Sequence, residues 1–125
     1  MMLKEIGTYL QSQGIGTLGA DLFLGLMPDQ PYNCIALFEY AGSPPDLHWP
    51  GEYPGLQVRV RDKSYQAGKA KIEQIVRVLH GLHETVLGGT RYLLVKARGS
   101  PEVLKRDNNN RIEVFVNFEI IKERD

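Results

Sequence analysis

LQVRVRDKSYQAGKAKIEQIVRVLHGL, residues 56–82, carries the reading of the fold. Its first six residues alternate. Leu56, Val58 and Val60 fall on one side of an extended chain, and Gln57, Arg59 and Arg61 on the other, which predicts a strand with one apolar and one basic face. Asp62–Ser64 is a short polar break, and Ser64 or Asp62 suits the N-cap of a following helix. In that helix Ile72, Ile75, Val76, Leu79 and Leu82 recur at i, i+3, i+4, i+7 and i+10, a single apolar stripe. Lys69, Lys71, Glu73, Gln74 and Arg77 fill the wet side. A two-faced strand feeding a two-faced helix predicts a layer of core.

Outward from this stretch the other elements are weaker in signal. Residues 1–13 read as a helix with Leu3, Ile6, Tyr9 and Leu10 on one face and Gly14 as its stop. Residues 18–27 read as a strand, and PDQPY at 28–32 as a turn. Residues 33–40 read as a strand apolar on both faces, which suits an interior position in a sheet. Residues 41–55, AGSPPDLHWPGEYPG, hold four prolines, three glycines and the single tryptophan, and read as a long functional loop. Beyond the helix, Gly88-Gly89 is a break, with strands expected over 91–98, 103–107 and 111–121. The Asn108–Asn110 run suits a hairpin turn. In the last strand Ile112, Val114, Val116, Phe118 and Ile120 share a face. This order predicts an α+β fold: a single mixed, mainly antiparallel sheet covered on one side by one long helix and an N-terminal helix.

The 125 residues suit one domain spanning 1–125, long enough for one core without staples. Fifteen basic residues balance fifteen acidic ones, which argues against bulk attraction to nucleic acid or membrane. Cys34 is alone, so no intrachain disulfide is expected. No apolar run approaches the ~20 residues that span a bilayer, and the N-terminus lacks the apolar core of a secretory signal. Cytosolic synthesis is the expectation.

Candidate chemistry is sparse. Gly14-Ile15-Gly16-Thr17-Leu18-Gly19 matches G-x-G-x-x-G, with Glu39 twenty residues further on. A dinucleotide site needs a strand before the glycines and a helix after them, so that pyrophosphate meets a helix N-terminus. Here the order is reversed, and the segment reads as a helix-to-strand connection. His80 and His83 are expected to share a side of the long helix near its C-terminus, where they suit the dipole. Two histidines are half a zinc site, and neither Cys34 nor His48 completes it at motif spacing. No nucleophile elbow or phosphate loop is present, so no cofactor, metal or enzyme activity is expected.

Three features suit contacts instead. The row Gln57, Arg59, Arg61 is either a wet strand face paired with acids such as Glu113 and Glu119, or a contact face for an acidic partner. Trp49 and Tyr53 either plug the end of the core or anchor a partner. The long last strand, if left at an edge, invites pairing with another chain.

Two runs, PDQPYNCIALFEYAGSPPD (28–46) and EYPGLQVRVRDKSYQAGKAKIEQIVRVLHGL (52–82), resemble the bacteriophage minor capsid proteins of the tail-terminator or tail-completion type. The shared pattern is a proline-flanked strand ending in a turn, then P-G-L-Q-V-x-V-R, a tyrosine, and an alanine-bearing helix ending in L-x-G. Here these are Pro54, Gly55, Leu56, Gln57, Val58, Val60, Arg61, Tyr65, Ala67, Ala70, Ile75, Leu79 and Gly81. The resemblance runs from the first helix to the last strand, strongest over 28–82.

It implies a structural virion protein, made in the host cytoplasm and placed at the head-proximal end of a tail. Such proteins form a ring, typically a hexamer, that ends tube growth. Their partners are copies of themselves, the tail tube protein and a head-completion protein. DNA passes through the channel without sequence-specific contact, and no membrane is involved. Gln57, Arg59, Arg61, Trp49 and Tyr53 are then the candidate interface residues. A head-closure or adaptor protein of the same joint is the nearest alternative. A small ligand-binding domain or enzyme would need a polar pocket, and a nucleic-acid binder a basic face with aromatic signatures.

Overall fold

A computed structural model describes residues 1–124 of the chain. Among the described residues two helices and seven strands follow in the order α1 (Met2–Ser12), β1 (Leu22–Leu24), β2 (Cys34–Ser43), β3 (Gly51–Asp62), α2 (Tyr65–Leu79), β4 (His83–Leu87), β5 (Thr90–Ala97), β6 (Glu102–Arg106) and β7 (Ile112–Glu123). The strands form one sheet in the order β1-β2-β3-β7-β5-β4, with β6 also paired to β7. Only the β1–β2 pairing is parallel, so the sheet is mixed and mainly antiparallel, as expected.

The helices form where the apolar stripes lie. On α1, Leu3, Ile6 and Leu10 are buried. The helix ends in a paired set of bonds: Gly14 N–H donates to the Gln11 carbonyl and Ile15 N–H to the Leu10 carbonyl. This geometry needs the left-handed φ of +75° that Gly14 supplies. On α2, Ile72, Ile75 and Leu79 are buried to the last atom. Both proposed caps take part: Ser64 Oγ accepts from Ala67 N–H at 3.2 Å, and Asp62 Oδ1 accepts from Ser64 N–H at 2.9 Å. The buried stripes of both helices join Leu56, Val58, Val60, Val114, Val116, Phe118 and Ile120 in one core.

α1 touches β1 and β2 and also β4, which stands at the far end of the strand order, while α2 touches β3, β7 and β5. One short helix can reach both ends of the order only because the sheet curls around it. The picture of one dominant long helix is therefore modified: α2 has 15 residues against 11 in α1, and both line the same core.

Several expectations need correction. The loop expected over 41–55 is only residues 44–50, because β2 continues to Ser43 and β3 begins at Gly51. The register shifts between Tyr40 and Ser43, and Pro54 falls at this irregularity, which is where a proline fits inside a strand. The strand expected over 18–27 is reduced to three residues. The last strand is not an edge: β7 lies between β3 on one side and β5 and β6 on the other. β4 was not anticipated. It forms a hairpin with β5 through Gly88-Gly89, whose φ angles of +57° and +85° suit a two-residue hairpin turn. His80 and His83 consequently do not share a helix face. His80 caps α2 and its Nδ1 accepts from Ala97 N–H at 2.9 Å, while His83 opens β4.

Candidate partner interface

The basic row divides into two environments. Arg59 is half-buried on the sheet face opposite the core. Its guanidinium lies 4.6 Å over the Phe38 ring, and its Nε donates to Gln57 Oε1 at 2.6 Å. Gln57 Nε2 in turn donates to Asn117 Oδ1 at 3.1 Å. Opposite Arg59 on β7 stands Phe115 rather than an acid, so among the described residues this arginine is held by an aromatic ring and an amide and not by a carboxylate. Holding the guanidinium in one conformer lowers the entropy cost of binding through it.

Arg61 is 3% exposed and turned inward on its own chain. Nε donates to the Tyr32 carbonyl at 3.0 Å, and Nη2 to the carbonyls of Pro28 (2.6 Å), Asp29 (3.1 Å) and Pro31 (2.7 Å). Segment 28–32 is thus folded around one guanidinium, whose planar fork suits several acceptors at once. Arg111 completes the latch. Its Nη1 donates to the Asp29 carbonyl (2.6 Å), Nη2 to Asp29 Oδ1 (2.8 Å) and Nε to Asp107 Oδ2 (2.7 Å), with the Tyr32 ring 5.1 Å away. Burial pushes the Asp107 carboxyl up, but the bonds from the Arg111 N–H and side chain outweigh it and hold the carboxyl below its ordinary range. Glu113 faces Arg61 in the strand register and is ion-paired to Lys105 at 3.7 Å. Of the two acids named as partners of the row, Glu113 thus does stand opposite Arg61, whereas Glu119 is set opposite Gly55 and Lys96.

Trp49 and Tyr53 brace the 44–50 loop from within. Trp49 Nε1 donates to the Tyr53 hydroxyl at 3.2 Å, and that hydroxyl donates to Asp46 Oδ2 at 3.0 Å. The two rings meet edge to face, with centroids 6.4 Å apart. Trp49 lies against Gly51, where a Cβ would stand 2.0 Å from its ring. The Asp46 carboxyl is held below its ordinary range, first by the His48 N–H donating to Oδ1 at 2.8 Å and then by the Tyr53 hydroxyl, against a smaller opposing effect of burial. Arg124 ties the loop to the end of β7, its N–H donating to the Pro50 carbonyl and Nη2 to the Asp46 carbonyl, both at 2.9 Å. At the loop's tip Leu47 is 93% exposed.

A groove of 340 Å³ beside this loop is lined by Tyr40, Ser43, Tyr53, Arg98, Glu119 and Ile121. Among the described residues no group of three or more His, Cys, Asp or Glu is placed to hold a metal ion. Among the described residues no helix is long and apolar enough to cross a membrane. Three participants escaped the sequence reading: Arg111, Tyr32 and Leu47. Arg111 and Tyr32 are 79 positions apart in chain and meet only in the fold. A lone leucine inside the polar, proline-flanked PPDLHWPG was the available sign for Leu47.

Comparison with known proteins gives two findings. Residues 9–124 match a family model described as "Bacteriophage tail terminator protein". A chain in the solved structure titled "Virion of native gene transfer agent (GTA) particle" superposes with a TM-score of 0.77, covering 98% of this chain and 95% of that chain at 13% identity, a likeness of fold. No curated protein matches.

Proposed function

Because the chain belongs to the bacteriophage tail terminator family, a family of structural virion proteins, we propose that it closes a ring on the head-proximal end of a tail tube. There it ends polymerisation and offers a docking face to a head-completion protein. The observation that carries this reading is the family match over 9–124, a span that contains every strand of the sheet. The geometry supports contact rather than reaction. Polar groups with several hydrogen bonds brace surfaces: Arg61 and Arg111 shape the 28–32 segment, and Asp46, Trp49 and Tyr53 shape the 44–50 loop.

In this reading Gln57 and Arg59 form the contact row, with Arg61 fixing the adjoining segment from beneath and Trp49 and Tyr53 holding the loop that meets a neighbour. The helices cover the inner side of the curled sheet and leave the Arg59 face for partners. A subunit with one head-to-tail contact forms a closed ring if its rotation closes, here six copies in the family's pattern. DNA then crosses a channel lined by repeats of one chain, without base-specific contact. Negative-stain imaging and native mass measurement of the purified chain, alone and with tail tubes, test the proposal. Closed rings on tube ends support it; tubes left bare by a saturating excess of the chain contradict it.

A further inference from the structure

Two strand edges stand at opposite sides of one part of the sheet. Alongside the first half of β7 the order is β1-β2-β3-β7-β6, and unbroken rows cross it: Leu22, Ile35, Val60, Val114 and Val103 in one, Phe23, Ala36, Arg59, Phe115 and Glu102 in the next. The two edges are four strand steps apart, about 19 Å along the sheet at the usual spacing. Both present apolar side chains to water. Every residue of β6 is exposed, Val103 at 50% and Leu104 at 39%, and the register shift at Leu104 leaves that residue with no opposite number on β7. Beside β1 lies a cleft of 350 Å³ lined by Lys4, Leu18, Leu22, Phe23, Leu24 and Leu26, of which Leu26 is 55% exposed. Residues 17–19 already bond the backbone of Leu22, so the stretch of this edge left for a partner is Leu24–Leu26 with the cleft.

We infer that β6 of one copy docks antiparallel along the β1 edge of the next, with Val103 and Leu104 in the cleft, and that this is the head-to-tail contact of the ring; the inference rests on the ring reading above. An exposed strand edge recruits another chain by strand addition. A second copy is the occupant because each edge finds its complement on this same chain, in apolar side chains and in charge. Charge also sets the direction. α1 runs back along β1: Gly16, past its end, lies against Asp21 and Leu22, and Gly7 against Leu24, so Lys4 falls at the Leu24–Leu26 end. Lys4 is the one charged residue among those lining the cleft, and Asp21 marks the other end of the edge. On β6 Glu102 stands at one end, and Lys105 and Arg106 at the other. Antiparallel docking sets Glu102 beside Lys4 and the two cations beside Asp21; parallel docking sets like beside like. Two further acids lie near: Glu113, paired to Lys105 within the chain, and Glu39, one strand further in on β2 and beyond the last β1 pair. A heterologous contact needs two different patches, and opposite edges take one neighbour each. The Arg59 row and the 44–50 loop are then left to the other partners.

The test is disulfide trapping, with and without tail tubes, between two single variants, Leu26→Cys and Val103→Cys, both at exposed positions. Cys34 is buried and stays out of the exchange. The expected result is a covalent dimer in the mixture, none from either variant alone, and none when Val86→Cys, on the β4 edge, replaces Val103→Cys. Adding Lys4→Glu to the Leu26→Cys chain is expected to cut the yield severalfold, and adding Glu102→Lys to its partner chain to restore it. A yield that ignores both charge changes would overturn the antiparallel docking. A self-dimer of Val103→Cys, or a dimer through Val86→Cys, would overturn the assignment of the edges. No dimer in the mixture, with rings of the unmodified chain seen by native mass measurement, would overturn the edge contact and leave the ring reading standing. No dimer together with a monomeric mass, alone and on tubes, would overturn both.

Discussion

The guanidinium of Arg61 donates through Nη2 to the carbonyl oxygen of Pro28 at 2.6 Å, joining positions 33 residues apart, and the same side chain serves three more carbonyls of segment 28–32. Replacing Arg61 by Met keeps much of the stem but takes the donor away from four part-buried carbonyls. Each such group costs roughly 1–3 kcal/mol, partly relieved by relaxation, so about 3 kcal/mol of stability is expected to go. Urea unfolding measures it. Arg61→Lys is expected to recover only part, since an ammonium cannot present the guanidinium's fork. An unchanged midpoint in Arg61→Met would show that the segment holds without its latch.

Two carboxyls, Asp46 and Asp107, sit below their ordinary range because their charged forms accept several hydrogen bonds. A folded-state pKa below the unfolded value of about 3.9 contributes stability that is complete above that value and is lost as pH falls through the folded pKa. Stability is therefore expected to be flat near neutrality and to decline below about pH 4. The decline should be shallower in Asp107→Asn. Denaturation midpoints across that window check it; an identical acid slope in the variant would remove Asp107 from the account.

Gly51 allows Trp49 to lie flat against the backbone, where a Cβ would come 2.0 Å from the ring. Gly51→Ala is expected to displace the indole, free its N–H from the Tyr53 hydroxyl and shift Trp49 emission to the red. Trp49 is the only tryptophan, so fluorescence reports this site alone. Unshifted emission would mean the loop is held without this contact.

Arg59 is braced by Phe38 and Gln57 and bears no carboxylate partner in its register. Arg59→Glu is expected to change stability by about 1 kcal/mol or less, the scale of a single cation–π contact at a partly exposed site. Joining of heads to tails is expected to fall severely. Normal joining by this variant would take Arg59 out of the contact row.

How much of this was legible beforehand depends on the range of the forces involved. The α2 stripe as far as Leu79, its Ser64 cap and the alternation of β7 are local patterns, and residues 56–79 and 112–120 fold as their spacing indicates; Leu82, expected on the stripe, falls past the end of the helix. β4 was hidden because HETVL is short and polar and its Glu84 takes a φ of +45°; its pairing with β5 is what makes it a strand. Prolines and glycines over 41–55 resembled a loop because a bulged hairpin arm uses the same residues. Arg61 gave the same alternation signal as Arg59, yet one is buried and one is not. The difference comes from segment 28–32, whose carbonyls converge only after the chain has folded.

The central claim is that this chain stops a growing tube. The direct measurement is the length of tails, by electron microscopy, in phage particles assembled without it. The account predicts tubes that run well past the normal length, restored by the wild-type chain. Free tails of normal, uniform length would contradict it and move the chain to the head side of the joint.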